Sequence, residues 1–283
     1  MNINRIPFLL CFSLIFFSCR KDPSLFEIEN LNHNKIGCFG HAGMGIGFKY
    51  PINSFQSLET CFKIGVDGSE MDIQLSKDGI PVLFHDKVLE HATSLKGKVN
   101  SMTLKELQEG LVASPFSSKI RIQTLESILV QFKNSDRKFT LDCKLYKDDD
   151  QDEGLYRQHF VDALLDLVNK YNLNSNVYIE SSDEAFLTKL KLADSRLQLF
   201  IYCQNFSAGL DIANKLDLYG ITMSSNLISA AEIKIAHQHG RHVTLFGLLN
   251  DKDNITAIEK SPDYLQSDRI IHLLKIFDQY KKE

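Results

Sequence analysis

Glu70 and Asp72 stand two apart in the stretch GSEMDIQLSKDGIPVLFHD, residues 68–86, interleaved with Met71, Ile73 and Leu75. That alternation has the period of a strand, so the acids share one face and the apolar side chains the other. SKDG then reads as a turn, and IPVLFH as a second strand. The link is far too short for a parallel crossover, so the two strands form a hairpin that folds His85 back towards the acids. Two carboxylates and an imidazole brought together suit a metal site with a general acid or base beside it. A solvated strand face would show the same alternation, so the assignment depends on what the neighbouring elements deliver.

Those elements belong to a chain of 283 residues, long enough for one large domain or two small ones with a substantial core. The formal net charge of -4 argues against a nucleic-acid binder that works through bulk charge. No Gly/Ser/Pro-rich linker divides the chain, and no internal repeat is visible. The N-terminus stands apart. One basic residue, Arg5, precedes an apolar run from Pro7 to Phe17, which has the length of a signal-peptide core and is short for a bilayer span. It ends in FFSC, which resembles the lipobox of bacterial lipoproteins. That resemblance implies a signal peptide over residues 1–18, lipidation of Cys19, and a polar tether over 19–34. The expected location is the bacterial cell envelope, with the membrane as a partner through the lipid anchor. Cys38, Cys61, Cys143 and Cys203 then remain, widely spaced and without a CxxC pair. They read as buried free thiols, although spacing alone leaves a disulfide open.

Beyond the tether, short apolar strands alternate with helical periodicity. Strands are expected near 36–41, 68–75, 138–145, 176–182, 197–203, 219–224, 242–248 and 263–267. Helical patterns cover 53–64, 123–133, 154–171, 183–193, 205–216, 228–240 and 269–281. Eight strands with helices between them predict a (β/α)8 TIM barrel over residues 35–283, with a β-hairpin excursion after the second strand. A doubly wound open sheet is the alternative, disfavoured by the strand count and by the lack of a Gly-rich phosphate loop. In a barrel the chemistry sits at the C-terminal strand ends. His41 ends the first strand, Glu70 and Asp72 lie on the second, Asp142 and Lys144 share a face near the end of the third, and Ser181 and Ser182 end the fourth. The convergence of these groups on one rim singles them out.

These residues resemble the glycerophosphodiester phosphodiesterase family over about residues 35 to 270. The resemblance is carried by GH at 40–41, GVDGSEMDIQLSKDGIPVLFHD at 65–86, IQTLESIL at 122–129, LDCK at 141–144 and PDYLQSD at 262–268. It implies a metal-dependent hydrolase that releases glycerol phosphate and an alcohol from glycerophosphodiesters. Glu70, Asp72 and Asp142 match the acidic metal ligands, and such an oxygen set suits Mg²⁺ or Ca²⁺. His41 and His85 match the two catalytic histidines, one to deprotonate an attacking hydroxyl and the other to protonate the leaving alkoxide. Lys144 matches a lysine that stabilises phosphoryl oxygens, and Phe246 stands where many members place a substrate-lining tryptophan; Asp86 is expected to orient His85 or shape its loop.

The chain departs from the family pattern at two linked places. His41-Ala42-Gly43 replaces His-Arg-Gly, and Pro51-Ile52-Asn53 replaces Pro-Glu-Asn. The grip on phosphate then falls to the metal and Lys144, with Lys49 nearby. Two other readings stand beside this one. A phospholipase or sphingomyelinase D-like enzyme would share two histidines, a metal and an Asp-x-Lys pair, but would lack the SKDGIPVLFHD stretch. A non-catalytic lipoprotein that binds phosphoryl ligands would explain the lost Arg and Glu, but would not spare the other six site residues. YKDDDQDEG at 146–154 reads as a solvated acidic loop, and His237, His239 and His242 as surface and helix-terminus residues at the opposite barrel end.

Overall fold

In a computed structural model, residues 26–114, 119–132, 136–147 and 151–282 are described. The apolar leader, Cys19 and residues 148–150 of the acidic loop lie outside them.

Nine strands and nine helices of at least four residues follow one another among the described residues. In chain order they are β1 (Gly37–Gly40), α1 (Phe55–Lys63), β2 (Gly68–Leu75), β3 (Pro81–Leu83), α2 (Leu104–Leu107), α3 (Leu125–Phe132), β4 (Lys138–Cys143), α4 (Glu153–Lys170) and β5 (Val177–Ser181). Then come α5 (Glu184–Ala193), β6 (Gln198–Tyr202), α6 (Phe206–Lys215), β7 (Gly220–Ser224), α7 (Ala230–Gln238), β8 (His242–Leu248), α8 (Asp251–Ile258), β9 (Tyr264–Ser267) and α9 (Ile270–Ile276). β1 pairs in parallel with both β2 and β9, which closes eight parallel strands into a TIM barrel. β3 is the excursion, antiparallel to β2 with Ile73 opposite Leu83.

Strand alternation sorts the side chains into two populations. Met71, Ile73, Leu141, Ile179, Leu199, Ile221, Leu245 and Leu265 belong to one buried cluster with the helices. The inward set is different in kind. Phe39, Tyr178, Phe200 and Tyr264 plug the lower barrel. Gly68 makes room for this plug, because a Cβ there would lie 1.8 Å from the Phe39 ring. One step higher, the inward positions turn polar and bring the acids together.

Helix starts fix the loops that frame the upper rim. α1, α4, α5, α6, α7 and α8 each begin behind a Ser, Asp or Asn whose side chain accepts a first-turn N–H. The arm after β3 packs a small core of its own from Val82, Phe84, Leu89, Val99, Leu107 and Ile122. The last helix is shorter than its apolar pattern. α9 gives way to Asp278 at φ 55, after which Lys281 donates its backbone N–H to Ile64.

At the opposite end, Asp263 ties the N-terminal segment to the barrel. Its Oδ1 accepts the N–H groups of Leu31 and Asn32, and its Oδ2 accepts that of Val243 and faces His237 Nε2 at 2.9 Å. His242 stacks on Tyr219 at 4.1 Å, and His239 contacts Asn214. These three histidines serve the strand-start end. Cys38, Cys61, Cys143 and Cys203 are all free thiols, the first three of them buried.

Candidate active site

Register brings the acids together. Asp72 lies opposite Asp142, and Asp142 opposite Glu180, across β2, β4 and β5. Glu70, Asp142 and Glu180 each contribute a carboxylate oxygen to a group in which all three lie within 4.8 Å of one another. Glu70 is 2% exposed. Its Oε2 accepts the Ala42 N–H at 2.8 Å, while its buried Oε1 has no hydrogen-bond partner. An orphaned carboxylate oxygen among other buried acids is the arrangement a bound cation satisfies, and an all-oxygen donor set fits a hard divalent ion.

Glu180 is the residue that sequence reasoning missed. The fourth barrel strand was expected to deliver Ser181 and Ser182, but Ser181 turns away and donates its hydroxyl to the Cys143 carbonyl. The parity of Tyr178 and Glu180 is the signal that finds it: if one faces the barrel interior, so does the other. Glu180 is held by the Thr222 hydroxyl at 2.6 Å and by the Gln266 amide at 3.3 Å. Asp72 is differently engaged. Asn53 donates to its Oδ2 at 2.8 Å, and Lys144 Nζ lies 3.2 Å from its Oδ1. Lys144 also donates to Asp142. The lysine therefore lies among the carboxylates as their internal counter-charge.

Electrostatics follow from this crowding. Burial, reinforced by neighbouring acids, pushes Glu70 well above the usual carboxylate range. Burial also raises Asp142, against the pull of Lys144, and takes Glu180 up to about 8. Burial acts on Asp72 in the same direction, but the charges of Lys144 and His85 and the Asn53 hydrogen bond outweigh it and hold Asp72 low. Lys144 is raised, because Asp72 and Asp142 overcome the cost of burying its ammonium. One lysine among four carboxylates, three of them buried, leaves a deficit of positive charge.

The two histidines flank this cluster, each oriented by an aspartate. His41 follows β1; its Nδ1 lies 3.0 Å from Asp268 Oδ2 and its Nε2 4.0 Å from Glu70 Oε2. Burial disfavours the imidazolium, yet the Asp268 hydrogen bond and charge, with Asp72, leave the His41 pKa raised. Asp268 also accepts the Ile46 N–H at 2.6 Å, so one carboxylate fixes both the imidazole and its loop. Gly45 permits the approach: it stands at φ +86, and a Cβ there would come within 2.4 Å of the Asp268 backbone. His85 is half exposed, with Nδ1 2.7 Å from Asp86 Oδ1. Gln74 pins its backbone by donating to the carbonyls of Phe84 and Asp86. In both pairs the carboxylate accepts from Nδ1–H, which leaves Nε2 outside the pair. Phe246, near the end of β8, packs against Tyr202 with ring centroids 5.5 Å apart.

The chain belongs to the Glycerophosphoryl diester phosphodiesterase family, whose model matches residues 44–272. A glycerophosphodiester phosphodiesterase of Bacillus altitudinis is 38% identical over 88 residues, which are 29% of this chain and 36% of that protein. One from Caldanaerobacter subterraneus is 26% identical over 158 residues, 54% of this chain and 62% of that protein. These matches thus span about a third to three-fifths of the curated relatives' length. The fold is shared with an Oleispira antarctica phosphodiesterase solved in complex with the product sn-glycerol-3-phosphate: TM-score 0.72, 20% identity, covering 85% of this chain and 96% of that one. A glycerophosphodiester phosphodiesterase of Parabacteroides distasonis gives a TM-score of 0.73 at 18% identity, covering 85% of this chain and 95% of that one.

Proposed function

We propose that the protein hydrolyses glycerophosphodiesters to glycerol phosphate and an alcohol, by acid/base catalysis from His41 and His85. The observation that carries this is the convergence, on one barrel rim, of two aspartate-oriented imidazoles and a buried carboxylate cluster with an orphaned oxygen.

Glu70, Asp72 and Asp142, with Glu180 from the adjoining strand, would hold a divalent cation of the Mg²⁺ or Ca²⁺ class. Bound there, such an ion supplies positive charge to the phosphoryl oxygens and acidifies a coordinated hydroxyl. Lys144, held between Asp72 and Asp142, would add a fixed ammonium beside the same oxygens. The Nε2 atoms of His41 and His85 would serve as the acid and the base at the reacting phosphorus. One takes the proton of the substrate's own glycerol hydroxyl as its oxygen bonds to phosphorus, and the other gives a proton to the alkoxide whose P–O bond breaks; the roles then exchange as water opens the resulting cyclic phosphate to glycerol phosphate. Asp268 and Asp86 hold the ring nitrogens that do not react. Phe246 and Tyr202 provide an apolar flank for the bound diester.

Glycerol phosphate release from several glycerophosphodiesters tests the proposal, using metal-stripped protein from Lys21 onward with Mg²⁺ or Ca²⁺ restored. Activity should return with the ion and fall by at least about 10²-fold in His41→Ala and in Glu70→Ala. Turnover that persists in either variant would remove that residue from the mechanism. Envelope location through a lipid on Cys19 is part of the same proposal, supported by the FFSC motif. Labelled fatty acid should enter the wild-type protein in a bacterial host and not Cys19→Ser; equal labelling of the two would end the anchor reading.

A further inference from the structure

A cavity of ≈ 400 Å³ opens beside His85, between the loop that follows β1 and the arm that follows β3. Its volume lies within the ~300–1,000 Å³ typical of small-molecule sites. Ile46, Phe48, Ile52, Phe84, Val112 and Ile122 belong to its predominantly apolar wall. Asn53 and His85 line the same cavity, so it adjoins both the Asp72 carboxylate and a proposed acid/base group. The remaining charged lining groups are Lys49 and Arg121, which are cationic, and Asp86, which is committed to His85.

These features select among the substituents a phosphodiester can carry. A choline or ethanolamine group would meet lysine and arginine, which repel it. Of the polar lining groups, Asn53 is engaged by Asp72 and Ser54 by the start of α1, so a bare glycerol would leave the larger, apolar share of the wall uncovered. An aliphatic chain meets what it needs. A methylene takes up about the ~30 Å³ of a liquid water molecule, so the cavity accommodates roughly a dozen carbons, one chain and not two. Ile52 sharpens the argument. It lines the cavity and stands where the family pattern has glutamate, so an apolar side chain occupies the place of a carboxylate there.

We propose that this cavity receives the single acyl chain of a lysophospholipid, which makes monoacyl glycerophosphodiesters the favoured substrates. The inference rests on the phosphodiesterase reading above, and its test separates the two. Lauroyl lysophosphatidylethanolamine, kept below its micellar concentration, is compared with glycerophosphoethanolamine in kcat/KM. Binding of the lysolipid to the metal-free protein is measured in parallel by calorimetry. Ile46→Glu and Ile52→Glu place a carboxylate in the cavity at positions outside the fully buried core.

The wild type should favour the lysolipid. Each variant should lower that preference about tenfold or more and weaken lysolipid binding by a similar factor, because the bound alkyl chain would have to desolvate the new carboxylate. Hydrolysis of the soluble diester with neither turnover nor binding of the lysolipid overturns the inference and leaves the phosphodiesterase reading in place. Lysolipid binding that both variants weaken, with no hydrolysis of either compound, supports the cavity assignment and overturns the phosphodiesterase reading instead. Binding and preference that both variants leave unchanged also overturn the inference.

Discussion

Asp268 shows how much of the chemistry rests on a residue that would not itself touch substrate. It orients His41 and anchors the loop at Ile46 with its two oxygens. Asp268→Asn keeps the shape but removes the charge that favours the imidazolium. Turnover should fall about 10–100-fold, the scale at which orienting partners matter, and the pH–rate limb belonging to His41 should move to lower pH. A variant with unchanged pH dependence would mean that Asp268 only shapes the loop. Sequence offered partial access to this pair. PDYLQSD was visible as a motif, but nothing in it says that its last carboxylate meets a histidine 227 residues earlier.

At the scale of elements, strand alternation positions the site. The aromatic plug below and the acids above occupy the same inward parity, so filling one layer constrains the next. Gly68 is the tightest point, two residues before Glu70 on β2. Gly68→Ala would force a Cβ into the Phe39 ring. Overpacking of this kind costs ~1–3 kcal/mol, and chemical denaturation should report that loss. Cation affinity should fall as well, because β2 cannot shift without moving Glu70 and Asp72. A fully stable Gly68→Ala protein would show that the plug can yield without disturbing the acids. The hairpin of β2 and β3 is the complementary device. It is short enough to be read from SKDG alone, and it carries His85 to the acids of the strand it folds onto.

At the scale of the whole molecule, the buried acids oppose folding until a cation or a proton relieves them. Glu180 stands near 8 in the fold against about 4.3 in an unfolded chain. The folded state therefore keeps a proton that the unfolded state releases. Stability of the metal-free protein falls as pH rises from about 4.3 towards 8. Differential scanning calorimetry should show that decline, and Glu180→Gln should flatten it. A divalent cation at about a hundred times its dissociation constant should add about 2.7 kcal/mol, a rise in Tm of roughly 5–10 °C for a chain of this size. The rise should be larger at pH 8 than at pH 5, where protons compete for the same oxygens. A Tm indifferent to cations at both pH values would remove the metal from the mechanism. The same scale includes the N-terminus: its described part is pinned by Asp263 at the barrel end opposite the acids.

The sequence by itself determined the strand count, the barrel, the hairpin and most of the groups with chemical potential. It could do so because period-2 alternation, turn residues and short links are local properties. Glu70, Asp72, Asp142, Lys144, His41 and His85 were all legible as polar groups at strand ends. Only the tertiary structure decided which carboxylates converge, since that depends on the register between β2, β4 and β5 and on barrel closure. Register put Glu180 beside Asp142, and it let Asn53 and Lys144 engage Asp72. The Asp268–His41 pair and the apolar cavity beside His85 were likewise beyond the sequence. Both join segments distant along the chain, and no local pattern records a contact that exists only once the barrel has closed.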